Sequence, residues 1–173
     1  ELLSQGVKVI GIGTSPYSEY ISPNDSNKGR YSYVSLYKKN IHVLKDILAN
    51  TNAKFCRSVF YNLAWSGMTS LTNGDIQDQF KNITLSTEAI KVASHIGCDA
   101  FIHIGSTQEC YLANYLNEDW KLEKKSFENQ INYSLAKSTC RDFNKLISYL
   151  EKIDYIHCTF SVFINDDITG KIL

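Results

Sequence analysis

Ala100-Phe101-Ile102-His103-Ile104-Gly105-Ser106-Thr107 is an apolar run that stops at a glycine and two hydroxyl residues. Its length and its boundary fit a buried strand. Directly upstream, Ile76, Phe80, Ile83, Ile90, Ala93 and Ile96 recur at helical spacing. Asp75 opens that helix and Gly97 closes it, because glycine takes the left-handed conformation that ends a helix. A long helix feeding an apolar strand is the unit of a parallel sheet.

The pattern extends in both directions. Val7 to Gly13, Tyr31 to Tyr37 and Ser58 to Ala64 read as strands, and Ile41 to Leu48 as a short helix. Thr14 to Gly29 contains both prolines and is a loop, as is Trp65 to Asn73. Gln108 to Phe127 is polar and irregular. Ile131, Leu135, Phe143, Leu146 and Leu150 carry another helix, and Tyr155 to Phe163 forms the last strand. Strands and helices alternate, and several strands are apolar on both faces. The expected class is α/β, a parallel sheet with helices on both faces and right-handed crossovers.

Composition narrows the function. The 173 residues, 43% hydrophobic, suffice for one domain with a core. Zero formal net charge gives no basic excess to attract nucleic acid, and no polybasic run marks a membrane surface. No apolar stretch has the length of a transmembrane helix, and Glu1 to Gly6 lacks signal-peptide character, reading as the last turn of a helix. The five cysteines are scattered without a CxxC, which predicts buried, reduced thiols and a cytoplasmic location. The four histidines show no ligand spacing, so no metal is expected.

Chemistry concentrates at the carboxyl ends of the strands, where such sheets bind ligands. Thr14 and Ser15 follow the first strand, Ala64-Trp65-Ser66-Gly67 the third, and Ser106-Thr107 the fourth. The next helix carries Tyr133 and Lys137, four residues apart and therefore on one face. A phenol beside an ammonium is a candidate acid/base with an electrostatic helper. With 11 tyrosines, such a spacing arises by chance about once in a chain of this size, so its neighbours decide its meaning.

Those neighbours carry a resemblance. Leu2 to Gly11, Val59-Phe60-Tyr61-Asn62-Leu63-Ala64, Asn82 with Thr87, Phe101 to Thr107, and Tyr133-Ser134-Leu135-Ala136-Lys137 occur in the order of the extended short-chain dehydrogenase/reductase superfamily. The chain is most similar to its NAD(P)-dependent nucleotide-sugar epimerase/dehydratase branch. The resemblance implies a Rossmann-like doubly wound sheet and hydride transfer on a nucleotide-activated sugar. Tyr133 would be the general acid/base. Lys137 would lower its pKa and hold the nicotinamide ribose, and Thr107 would hydrogen-bond the reacting sugar oxygen. Ser106, Gln108 and Glu109 would also meet substrate. Glutamine at 108, where dehydratases of the family carry an acid, points to epimerisation or keto reduction. Gly13, Thr14, Ser15, Leu63, Ala64, Trp65, Asn82, Phe160, Ser161 and Val162 would approach the cofactor. Family members often pair through the Tyr/Lys helix and the one before it, which implies a homodimer.

The departures set further expectations. The glycine-rich fingerprint and its strand, central in the order 3-2-1-4-5-6, are not in the sequence, nor is the C-terminal substrate portion. On this basis the chain reads as a single Rossmann-like domain, residues 1–173, incomplete at both ends. Gly13-Thr14-Ser15 replaces the acidic residue that usually holds the ribose 2′-hydroxyl, which tilts the choice toward NADP over NAD. These departures also keep open a second reading, a non-catalytic Rossmann-type binding or regulatory protein.

Overall fold

The computed structural model describes residues 2–16, 29–49, 57–66, 75–110 and 125–160. The protein is α/β. Contacts divide it into two compact units, Glu1–Val43 and Leu44–Leu173. The first unit pairs β1 (Val9–Gly13) with β2 (Tyr31–Ser35) in parallel, from Val9 opposite Tyr31 to Gly13 opposite Ser35. Helix α1 (Val43–Ala49) begins at the boundary between the units.

The second unit holds β3 (Val59–Asn62), helix α2 (Ile76–His95), β4 (Ala100–Ser106), helix α3 (Lys125–Glu151) and β5 (Asp154–Phe160). Its sheet has the order β3-β4-β5, and both pairings are parallel. Among the described residues, the continuous sheet expected from the sequence is thus a pair and a triplet of strands. Strand β4 continues through Gly105 to Ser106, two residues beyond the expected end. The stretch read as irregular up to Phe127 contains the start of α3 at Lys125.

Local chemistry accounts for the ends of α2. The Asp75 carboxylate accepts the Gln77 N–H at 3.0 Å, satisfying one of the open donors of the first turn. At the other end Gly97 has φ +83°, and the Cys98 N–H bonds the Ala93 carbonyl at 3.0 Å. This is a Schellman closure, and it requires the left-handed residue that the sequence placed there.

The side chains facing the sheet are unexpected. Residues alternate along β4, so Phe101, His103 and Gly105 face the helices. Phe101 stacks between Phe60 and Tyr155 at 5.5 and 6.5 Å, forming the apolar end of this layer. Beyond it the interior turns polar. Helix α2 buries Gln79, Asn82 and Ser86 beside Ile83, Ile90 and Ala93. Helix α3 buries Tyr133, Ser134, Lys137, Asn144 and Ser148 beside Ala136 and Cys140. The residues expected to seat α3 point outward instead: Phe143 is 49% exposed and Leu146 56%, with Leu135 and Leu150 also exposed. Phe80 and Leu85 do the same on α2. Helices α2 and α3 lie on one face of the sheet, and the opposite face leaves Val59, Tyr61 and Ile156 exposed. The cysteines also differ from expectation: Cys140 is buried and Cys110 exposed, and the four described thiols are free.

The α2 terminus gives a direct test. Gly97→Ala should cost roughly 1–2 kcal/mol in a denaturant titration, because an L side chain resists the left-handed conformation.

Candidate active site

The carboxyl end of β4 brings together Ser106, Glu109, Tyr133 and Lys137, with Trp65 alongside. Tyr133 is buried on α3, and the Ser106 side chain beside its phenol acts to lower the phenol's pKa. Ser106 also receives the Gln108 N–H at 3.2 Å on its Oγ. The hydroxyl beside the phenol is therefore that of Ser106. Thr107 acts through its backbone, with its N–H bonded to the Phe160 carbonyl at 3.2 Å and its own carbonyl accepting the Cys110 N–H.

Lys137 is 4% exposed. Its Nζ donates to the Ile104 carbonyl at 2.8 Å and lies 3.8 Å from the centroid of the Trp65 ring. Such a cation–π contact is worth about 0.5–2 kcal/mol. Burial lowers the Lys137 pKa to about 8. The expected effect of Lys137 on Tyr133 is not found. Burial raises the phenol's pKa, the Glu109 charge raises it further, and only the Ser106 side chain opposes them. The ammonium sits 5.9 Å from the Tyr133 ring centroid and is turned to Ile104 and Trp65. Desolvation of the phenol therefore wins.

Glu109, expected to meet substrate, turns inward. Its Oε1 accepts the Ser106 N–H at 2.8 Å, and its Oε2 lies 3.4 Å from an Arg141 nitrogen. His157 Nε2 approaches Oε2 at 3.2 Å, a charge contact outside hydrogen-bond alignment. Burial alone would raise the Glu109 pKa, but His157, the Ser106 N–H and Arg141 together hold it below the usual carboxylate value. Gly105 makes room for this arrangement, since a Cβ there would collide with the His157 ring and with Glu109 Oε1.

A second polar layer lies beneath. Ser86 Oγ accepts Asn62 Nδ2 at 2.8 Å and Asn144 Nδ2 at 2.9 Å. His103 Nδ1 lies 3.4 Å from both Ser86 Oγ and Asn62 Nδ2. His103 stacks on His157 at 5.6 Å, its partner in the β4–β5 register. Burial, then the Lys137 and His157 charges, depress its pKa to about 3, so the ring is neutral at physiological pH. Asn82 holds the segment after β3: its Oδ1 accepts from Ser66 N and Oγ at 3.0 and 3.1 Å, and its Nδ2 donates to Ser66 O at 2.9 Å.

The other anticipated residues divide clearly. Gly13, Thr14 and Ser15 belong to the first unit, where Ser15 O accepts from the Tyr33 hydroxyl and from Ser35 Oγ. Leu63 and Ala64 are exposed after β3, and Phe160 is exposed at the end of β5. Gln108 Oε1 is buried without a hydrogen-bond partner among the described residues. Ser161 and Val162 lie outside the described residues.

Sequence reasoning missed His103, His157, Arg141, Ser86 and Asn144. A signal for Arg141 existed: Tyr133, Lys137 and Arg141 are spaced four apart on one helix face. Among the described residues no cluster of three or more His, Cys, Asp or Glu could hold a metal ion. No family model matches the chain, and no curated protein or solved structure matches it.

The buried ammonium makes a pH prediction. With a folded pKa of about 8 against 10.5, Lys137 opposes folding below pH 8 by about 3 kcal/mol. Between pH 8 and 10.5 the unfolded chain binds the proton and the folded chain does not, so this contribution to stability rises with pH. Lys137→Met should therefore stabilise the chain at pH 7, and its advantage over the native chain should shrink from pH 8 to 10.5. Paired urea titrations across that range measure the difference.

Proposed function

We propose that the protein is an NAD(P)-dependent oxidoreductase or isomerase of the extended short-chain dehydrogenase/reductase type, acting on a nucleotide-activated sugar. The observation that carries this reading is the placement of Tyr133 beside Ser106 at the carboxyl end of a parallel strand, with Lys137 on the same helix face. A phenol, a hydroxyl and an ammonium there fit a substrate carbonyl or alcohol and a cofactor ribose. The strand pairings support a Rossmann-like order: β2-β1 and β3-β4-β5 correspond to the neighbours 3-2 and 4-5-6 in the order 3-2-1-4-5-6.

The cofactor, NADP in preference to NAD, supplies hydride. Tyr133 supplies the proton. Its phenol is protonated at neutral pH, as an ordinary tyrosine is, and can deliver a proton to a carbonyl oxygen in epimerisation or keto reduction. Ser106 orients the phenol, and Lys137, turned to Ile104 and Trp65, stands on the same helix face for a cofactor ribose. Glu109 holds the Ser106 backbone and so fixes the turn that carries the hydroxyl. The reading carries a cytoplasmic location with it. Among the described residues, no helix is long and apolar enough to cross a membrane.

Tyr133→Phe should abolish NADPH oxidation with nucleotide-4-keto sugars while leaving NADPH binding within a fewfold of native. Normal turnover by this variant would refute the mechanism. The second reading, a non-catalytic Rossmann-type binding or regulatory protein, is favoured by the covered ammonium of Lys137. Calorimetry showing neither NADPH nor NADH bound at millimolar concentration would select it.

A homodimer through α2 and α3 belongs to the same proposal. The two helices pack side by side and expose Phe80, Leu85, Phe143, Leu146 and Leu150. Burying these side chains against a second copy would stabilise the pair. Light scattering should give twice the chain mass at tens of micromolar, and Phe143→Glu with Leu146→Glu should give the chain mass.

A further inference from the structure

Trp65 follows β3 by three residues and is half-buried. Its indole packs against the buried cluster of Ile83, Ala136 and Cys140, and it also meets groups of the candidate site. Its face lies on the Lys137 ammonium. It meets the Tyr133 ring in a T-shaped contact, 6.1 Å between centroids and 86° between planes. It is tilted against His103 at 6.3 Å. Its Nε1–H donates to Gln79 Oε1 at 3.0 Å. Gln79 and Asn82 are three residues apart on α2 and therefore share a face, so one helix face holds both Trp65 and Ser66.

The ammonium beneath is poorly served. It has three N–H donors, and the Ile104 carbonyl is the one oxygen acceptor it meets among the described residues. The Trp65 and Tyr133 rings lie beside it, and burial outweighs the Cys140 and Glu109 charges in lowering its pKa. Gln79 is fully buried, and its Nε2 has no hydrogen-bond partner among the described residues. Its side chain is therefore held for the acceptor that it offers the indole. Lys137 is carried by a regular helix, whereas Trp65 lies outside any strand or helix. Of the two, the indole is the part that can move without breaking backbone hydrogen bonds.

We propose that Trp65 is a removable cover on Lys137, held shut by Gln79, which swings off when a ligand offers the ammonium an oxygen acceptor. Its purpose rests on the reading that Lys137 meets a ligand, but the cover itself can be tested without one. In the open form the ammonium faces solvent. In the closed form it is withheld from ligand and reagent alike. The population of the closed form sets how readily the site accepts a ligand, because binding must displace the indole.

Acylation of the full chain with an N-hydroxysuccinimide ester, followed site by site by mass spectrometry, tests the cover. Lys145, exposed on the same helix, is the reference. Native Lys137 should react more than about tenfold slower than Lys145, as a group released only by local opening. Trp65→Ala should raise its rate by about tenfold or more, and Gln79→Met by a smaller factor, with buried Cys140 still protected from maleimide in the Gln79 variant, which keeps the indole that packs against it. The proposal is overturned if native Lys137 reacts as fast as Lys145, or if it stays protected in both variants. It is equally overturned if Cys140 opens along with it in both. A second measurement leaves Trp65, Gln79 and Lys137 unchanged. Trp120→Phe leaves Trp65 as the sole tryptophan, and saturating NADP should increase acrylamide quenching of its fluorescence. NADP bound by calorimetry with quenching unchanged refutes the cover. NADP not bound refutes the cofactor reading, and the acylation rates then decide the cover alone.

Discussion

One hydroxyl joins the four elements of the site. Ser86 on α2 receives Asn62 from β3 and Asn144 from α3, and it lies against His103 of β4. Buried polar groups are costly when unpaired, and here each partner's satisfaction depends on the others keeping their places. An apolar contact would tolerate sliding. Three amide and imidazole groups converging on one oxygen do not. This fixes the rotation of both helices about their axes, and that rotation turns Tyr133 and Lys137 inward at the carboxyl end of β4.

The same constraint explains the paired behaviour of the titratable groups. The helix–sheet layer excludes water, so each group is pushed toward its neutral form unless a neighbour opposes it. His103 and Lys137 have none that suffices, and their pKa values fall. For Tyr133 the Ser106 hydroxyl does not outweigh burial, and its pKa rises. Glu109 alone has a backbone N–H, a guanidinium and an imidazole around it, and it remains a carboxylate. One buried negative charge, held by Arg141 at the edge of the layer, thus sits among neutralised or weakened bases.

Much of the fold was legible in the sequence. Asp75 and Gly97 marked the ends of α2 because capping is local chemistry, carried by the residues themselves. The strands were legible because their apolar runs were bounded by loop residues. On α2 the expected Ile83, Ile90 and Ala93 face inward, and Phe80 alone of that stripe is exposed. The orientation of α3 was not legible: Phe143, Leu146 and Leu150 form an apolar stripe, ordinarily read as the buried face, and they point outward. The inward face of α3 carries small and polar residues, whose burial depends on hydrogen bonds between distant segments that no local window contains. The Tyr133/Lys137 pair was legible from spacing alone, whereas its electrostatics were not. The ammonium's preference for Ile104 and Trp65 follows from where β3 and β4 end, which is a tertiary fact.

Gly105 sits where His157 and Glu109 close over the strand. Those three residues share a single volume, with no allowance for a further carbon atom. Their identities are therefore coupled through space rather than along the chain. A side chain at 105 would require the His157 ring and the Glu109 carboxylate to turn aside, and loss of that carboxylate would free the Ser106 N–H while Arg141 kept Asp142 and Ser138. What residue 105 can be is thus set by side chains on two other segments.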